Sequence, residues 1–311
     1  MKFIKQIALF AATFAITASA SATALLSGYS DTTVMNLPGV SVYGNIATDA
    51  AGNRYLAEGS MIRKLTPAGI MTTVATLPFQ AITLKINGGT LYAGNGGDWL
   101  SKVDLASGAQ KALATNSMWA SVNNMAMSAD GSSIYLATTY GLLNYNVATN
   151  SYGTTALSTG LFTGIATRAD GKILVANYSS NQILAYDPTQ NTSSVFYTGV
   201  SNVGALVIDA NSGDVYAADE ANSKIVRIDA TGANSTDFAT AKFNGGYWPS
   251  AMSFSPDGKA LSYLAYDSNW NTYLGEIKGF AGAAAVPEPG SVALFALALA
   301  GLGVVRRKRV G

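Results

Sequence analysis

Cysteine and histidine are both missing from this 311-residue chain. Without cysteine there is no disulfide staple and no thiolate, so the folded part must be held by an apolar core. Without histidine there is no Ser-His-Asp or Cys-His nucleophile system, no imidazole metal ligand and no imidazole proton shuttle. Charge is scarce too, at 12% of residues, and unevenly placed. Lys2, Lys5, Arg306, Arg307, Lys308 and Arg309 stand at the two ends with only Glu288 beside them. Of the 19 basic and 18 acidic residues, 13 and 17 remain in the body, which is therefore acidic. It has no basic patch interleaved with aromatics, so no nucleic-acid partner is expected. Gly94-Asn95-Gly96-Gly97-Asp98 is glycine-rich but lacks the helix that follows a phosphate cradle. Asp267-Ser268-Asn269-Trp270-Asn271 has calcium-loop oxygen spacing without the turn glycine or closing glutamate, and reads as a plain turn.

The ends carry signals of their own. Lys2 and Lys5 precede an apolar stretch from Ile7 to Ile16, and Ala18-Ser19-Ala20 and Ala20-Ser21-Ala22 offer small-residue cleavage sites. Residues 1–22 thus read as a signal peptide. At the other end, Val286-Pro287-Glu288-Pro289 opens a segment whose residues 290–305 are apolar except for Ser291. The prolines keep the motif extended and reachable by an enzyme. Sixteen helical residues span roughly 24 Å, and snorkelling by Arg306 and Arg307 makes up the rest of a bilayer core. The basic cluster Arg306-Arg307-Lys308-Arg309 then stays cytoplasmic and the body lies outside. This order of motif, apolar helix and basic cluster resembles the PEP-CTERM sorting signal of Gram-negative bacteria. The resemblance implies handling by the secretion machinery and an exosortase, transient anchoring in the membrane through residues 290–305, and a place at the envelope, cell surface or extracellular matrix. It also implies an association with extracellular polysaccharide and biofilm. Residues 281–286, rich in Ala and Gly, form the expected linker between the body and this 287–311 segment.

The body, residues 28–280, repeats itself. Tyr55-Leu56-Ala57, Tyr92-Ala93-Gly94, Tyr135-Leu136-Ala137, Leu174-Val175-Ala176, Tyr216-Ala217-Ala218 and Tyr263-Leu264-Ala265 each follow a glycine-containing turn, at spacings of 37, 43, 39, 42 and 47 residues. A period near forty with several short strands per unit predicts an all-β, six-bladed propeller. The fourth repeat is the plainest, with strands expected at Gly164–Thr167, Lys172–Ala176, Gln182–Tyr186 and Ser194–Tyr197. The sixth runs out after its third strand, near Ile277. Thr32-Thr33-Val34-Met35-Asn36-Leu37-Pro38 matches Thr72-Thr73-Val74-Ala75-Thr76-Leu77-Pro78, the outer strand of the first repeat. The N-terminal strand is therefore expected to complete the last blade and close the ring.

These repeats resemble the six-bladed NHL and gluconolactonase-type (senescence-marker-like) propellers over roughly residues 32–279. That resemblance implies a divalent cation on the ring axis, held by a Glu, an Asn and an Asp at the starts of inner strands. The matching positions hold Asn45, Asn123, Thr163, Asn202 and Ser250, so the acidic ligands are missing there. Glu58 and Asp219 are the nearby acids that such a cation would draw on.

Strand alternation sorts the loops onto two faces. The connections between second and third strands share a face with those between blades, which gathers Trp99, Trp119, Trp248 and Trp270 with Tyr43, Tyr140, Tyr178 and Tyr247. Glu58, Asn95, Thr138, Asn177 and Asp219 follow the Tyr/Leu-x-Ala motif onto the same face, and Asn45, Asn123 and Asn202 enter from between blades. One reading is a binding face, with aromatics stacked on sugar rings and amides bonded to hydroxyls. The other is that the aromatics cap the blades and the polar groups hydrate the channel. The sequence thus supports an exported binding or scaffolding propeller without a catalytic residue. A metal-dependent, lactonase-type hydrolase and a matrix protein with no specific ligand are the alternatives.

Overall fold

The computed structural model describes residues 23–24, 26–37, 42–95, 100–113, 120–243, 251–267 and 269–281. The signal peptide, residues 282–286 of the linker and the sorting segment lie outside the described residues. Within them every regular element is a strand.

The chain enters through β1 (Thr23–Ala24) and β2 (Ser30–Leu37). Blade 1 is β3 (Val42–Thr48), β4 (Arg54–Glu58), β5 (Met61–Leu65) and β6 (Met71–Thr76). Blade 2 is β7 (Ala81–Asn87), β8 (Thr90–Asn95), β9 (Leu100–Asp104) and β10 (Gln110–Ala112). Blade 3 is β11 (Val122–Met127), β12 (Ser133–Thr138), β13 (Gly141–Asn146) and β14 (Ser151–Thr154). Blade 4 is β15 (Phe162–Thr167), β16 (Ile173–Asn177), β17 (Gln182–Asp187) and β18 (Thr192–Thr198). Blade 5 is β19 (Val203–Ile208), β20 (Val215–Asp219), β21 (Lys224–Ile228) and β22 (Ser235–Thr240). Blade 6 brings β23 (Ala251–Phe254), β24 (Ala260–Tyr266) and β25 (Thr272–Lys278). All four strands expected in the fourth repeat are present, within two residues at each end.

Burial falls off from the axis outward. The inner strand β11 is buried over most of its length, whereas β10 is exposed throughout. Apolar side chains gather in the seams between neighbouring blades, and six clusters fill the six seams. Tight turns join the first and second strands. In three of them Gly131 (φ 72°), Gly171 (φ 83°) and Gly258 (φ 67°) donate to the carbonyl three residues back. That left-handed conformation is cheap only for glycine.

The ring closes as the sequence leads one to expect. β2 pairs antiparallel with β25, from Ser30 opposite Lys278 to Leu37 opposite Thr272, and so becomes the outer strand of blade 6. Its exposure alternates along the strand, as a half-buried strand requires. Leu37 enters the seam with blade 1 beside Leu65 and Leu274. Arg54 of β4 crosses the same seam, where its guanidinium pairs with Glu276 and its Nε donates to Ser262 Oγ at 2.8 Å. Tyr263 of β24 fastens the added strand to its blade. Its hydroxyl passes beyond β25 to donate to Asp31 at 2.8 and 2.9 Å, over Gly275, where any Cβ would lie 2.1 Å from the tyrosine Cζ.

The N-terminal contribution extends beyond this strand. β1 pairs with β22, so blade 5 has five strands. Between the two pairings Tyr29 packs edge-on against Phe238 and Phe280, with centroids 4.8 and 5.0 Å away. Residues 23–24 and 26–37 thus contact both blade 5 and blade 6 and complete the latter.

Candidate binding face and ring axis

The strand register brings the expected polar series to one end of the ring. Glu58, Asn95, Thr138, Asn177 and Asp219 end their second strands opposite Val42, Ala81, Val122, Phe162 and Val203, near the starts of the inner strands. In blades 2 to 5 the inner strand carries a register shift immediately after this pairing, and in blade 1 one pair later. A bulge there re-aims the next side chain. In blades 3 and 4 that side chain turns to the next blade. Asn123 is buried and its Nδ2 donates to the Phe162 carbonyl at 2.7 Å, while the Thr163 hydroxyl donates to the Val203 carbonyl. These groups tie blade 3 to blade 4 and blade 4 to blade 5.

Other members hold turns. Asp219 is fully buried and accepts both Asn222 Nδ2 contacts at 2.9 Å, plus the Asn222 N–H at 3.2 Å. Asn177 Oδ1 accepts the Ser180 N–H at 3.2 Å. Thr138 Oγ1 donates to the Gly141 carbonyl at 2.7 Å. Glu58 lies 3.5 Å from Arg63 Nε, and both side chains are partly open to solvent. Asn202 has φ 49° and donates its N–H to Asn181 Oδ1 at 2.9 Å.

Two described aromatics of this face are open to solvent. Tyr140, in the turn from β12 to β13, and Trp270, in the turn from β24 to β25, are each 59% exposed. Tyr178, just past β16, is half-buried. Tyr43 lies in β3, but its side chain is outside the description, as is that of Asn45. Trp99, Trp119, Trp248, Tyr247 and Ser250 lie outside the described residues.

Trp270 is held in an unusual way. The Asp267 carboxylate accepts the Asn269 and Asn271 N–H groups at 2.8 Å and the Asn271 amide at 3.0 Å, which builds the turn. These bonds, the Asn271 side chain first, keep the Asp267 carboxyl below its ordinary range. Trp270 occupies the tip at φ 63°, a conformation that is uncommon for a bulky residue and holds its ring out from the blade. Lys242 Nζ lies 3.5 Å from the ring centroid and Tyr266 packs against it at 5.8 Å. The Tyr266 N–H donates to the Lys242 carbonyl at 2.8 Å, so one backbone bond fixes both supports. Nothing in the sequence marks Lys242 as a partner of Trp270, because 28 residues separate them.

A divalent cation finds little here. Asn123 and Thr163 are engaged between blades, Asp219 is enclosed by its own turn, and no described trio of His, Cys, Asp or Glu side chains is placed to share a metal ion. The described inner-strand starts carry Asn123, Thr163 and Asn202 and no acidic residue at those positions, a poor donor set for a divalent cation.

Fold and tail together define an exported six-bladed propeller with a sorting segment. Residues 285–309 match the PEP-CTERM protein-sorting motif, which marks a bacterial protein that is exported, processed by an exosortase and associated with the cell envelope. No curated protein is significantly similar in sequence. Among solved structures, a gluconolactonase from Xanthomonas campestris superposes with a TM-score of 0.64 at 11% identity, covering 85% of this chain and 99% of that one. A calcium-binding protein, regucalcin, from Agrobacterium tumefaciens gives 0.63 at 18% identity over 84% and 95%. A luciferin-regenerating enzyme gives 0.64 at 10% identity over 82% and 96%. At these identities the likeness is one of fold.

Proposed function

We propose that the propeller is a binding module shown outside a Gram-negative cell, delivered there with the help of a cleaved signal peptide, and that its aromatic face recognises extracellular polysaccharide. The observation that carries this reading is the Trp270 platform. A solvent-open indole, supported by Lys242 and Tyr266 and held at φ 63° by the Asp267 turn, is pre-organised to stack on the apolar face of a sugar ring. Tyr140 offers a second open aromatic on the same face, half the ring away. Trp99, Trp119, Trp248, Tyr43 and Tyr178 are the further candidates for this surface.

Glycan-array binding by the purified protein, followed by calorimetry on the strongest ligand, tests it. Trp270→Ala should weaken binding at least about tenfold, the effect of losing an aromatic anchor worth roughly 1.4 kcal/mol or more. Failure to bind any glycan, or equal binding by Trp270→Ala, would remove the reading. The gluconolactonase-like fold keeps one alternative in view, a metal-dependent lactonase. Metal-dependent turnover of aldonolactones would favour it, against the poor donor set on the axis.

A further inference from the structure

The opposite end of the ring holds a different feature. The second halves of the six inner strands surround an axial cavity of about 360 Å³, near the Asp-Gly turns and away from Trp270. Each inner strand pairs with only one neighbour, so its free edge turns backbone N–H and C=O groups toward the axis. The lining side chains are mainly aliphatic, methionine or phenylalanine, with three hydroxyls among them. Thr167 donates to the Met127 carbonyl at 2.6 Å, while Thr48 and Ser253 share a hydrogen bond of 3.1 Å.

Lys85 is the single ionisable side chain in that lining. It stands on β7 opposite Tyr92 and has no ion pair or hydrogen-bonding side-chain partner among the described residues. It is half-buried in the channel wall and keeps contact with the channel's water, and burial pushes its pKa below the ordinary lysine range. An ammonium so placed has lost part of its hydration without gaining a counter-charge, and an anion that joins it offsets that loss.

We propose that the axial channel is an anion site in which Lys85 holds the carboxylate of a small organic acid. One positive charge matches a monoanion, since a dianion would leave a second charge uncompensated inside the channel. The volume corresponds to about a dozen waters, which limits the ligand to a small molecule. Much of the exposed wall is polar, and backbone N–H groups on the free edges supply further donors to the carboxylate, while the aliphatic lining side chains meet the organic body. This site is independent of the aromatic face, and either can fail without the other.

The test uses the full chain, purified in detergent, with butyrate and benzoate as probes and chloride and phosphate at matched ionic strength as controls. The carboxylates should raise Tm saturably and bind in calorimetry. Lys85→Met, which keeps the chain length and removes the charge, should weaken that binding at least tenfold. In parallel, the lysine amines of the wild-type protein are labelled by reductive ¹³C-methylation. Butyrate should then shift one methylamine resonance and raise its pKa, a readout that needs no variant to fold. Carboxylates that stabilise no more than chloride, or that act equally on Lys85→Met, would overturn the proposal. A labelled protein in which no lysine responds would do the same, and a response to phosphate alone would overturn the ligand class.

Discussion

Asp31 makes ring closure sensitive to pH, and Asp31→Asn measures by how much. The carboxylate sits on the added strand β2, where its partner is the hydroxyl of Tyr263. Burial pushes its pKa up to about 6, against the opposing pull of the Tyr263 bond and the Thr32 backbone. A carboxyl of pKa near 3.8 in the unfolded chain and near 6 in the folded one binds its proton more tightly when folded. Its contribution to stability is therefore fully present below about pH 4 and is lost as pH rises through 6. A shift of about two units corresponds to roughly 3 kcal/mol for a fully enclosed group, but Asp31 is partly open to solvent, and screening leaves on the order of 1 kcal/mol. The asparagine keeps an acceptor for the tyrosine and cannot ionise. In thermal scans at constant ionic strength, Asp31→Asn should melt with the wild type at pH 4. It should melt about 2–4 °C higher at pH 7.5, with the difference appearing around pH 6. A difference independent of pH would refute the reasoning. So would a wild type that is the more stable at pH 7.5, because the charged tyrosine–carboxylate bond would then outweigh burial.

Two further outcomes concern the same closure. Arg54→Met leaves Glu276, whose side chain is 9% exposed, with only Lys278 Nζ at 3.0 Å to balance it, and should lower stability in urea by about 3 kcal/mol. Adding Glu276→Leu should restore much of that loss, and a double variant no better than the single would refute a role for the unpaired charge. Gly275→Ala sets a methyl against the Tyr263 ring and should cost about 1–3 kcal/mol in the wild type but much less in a Tyr263→Ala background. Equal losses in the two backgrounds would refute the contact.

The ring was legible in the sequence because its signals are local and repeated. Each unit carries its own glycine turn and its own buried Tyr/Leu-x-Ala strand, and the likeness between residues 32–38 and 72–78 betrays a strand displaced to the far end of the chain. β1 left no such trace, since a two-residue pairing has no period to detect. The roles of the face residues were less legible for a different reason. An asparagine at the start of an inner strand looks the same whether its amide awaits a ligand or, like Asn123, bonds the next blade. The partner decides, and the partner lies 39 residues away. Trp270 was visible as an aromatic in a loop, but its left-handed backbone and the Lys242 support depend on contacts between elements that no spacing encodes.

Lys85 places a positive charge in the axial channel of a fold that is shared with a calcium-binding protein. At an inner strand the protein places Lys85 four residues beyond Ala81, about 13 Å along a strand. An ammonium in the same channel opposes a divalent cation through like-charge repulsion. That opposition is modest, but it acts in the same direction as the missing acids at Asn45, Asn123, Thr163 and Asn202. A cation site would require carboxylates at one end of the channel and a neutral residue in place of the lysine at the other. The chain instead has Asn123, Thr163 and Asn202 at described inner-strand starts, Asp219 bonded within its own turn, and a lysine further down the channel. On the anion-site proposal, changes on the inner strands alone would turn the axis of this fold from cation to anion binding, with the aromatic loops left for a separate task.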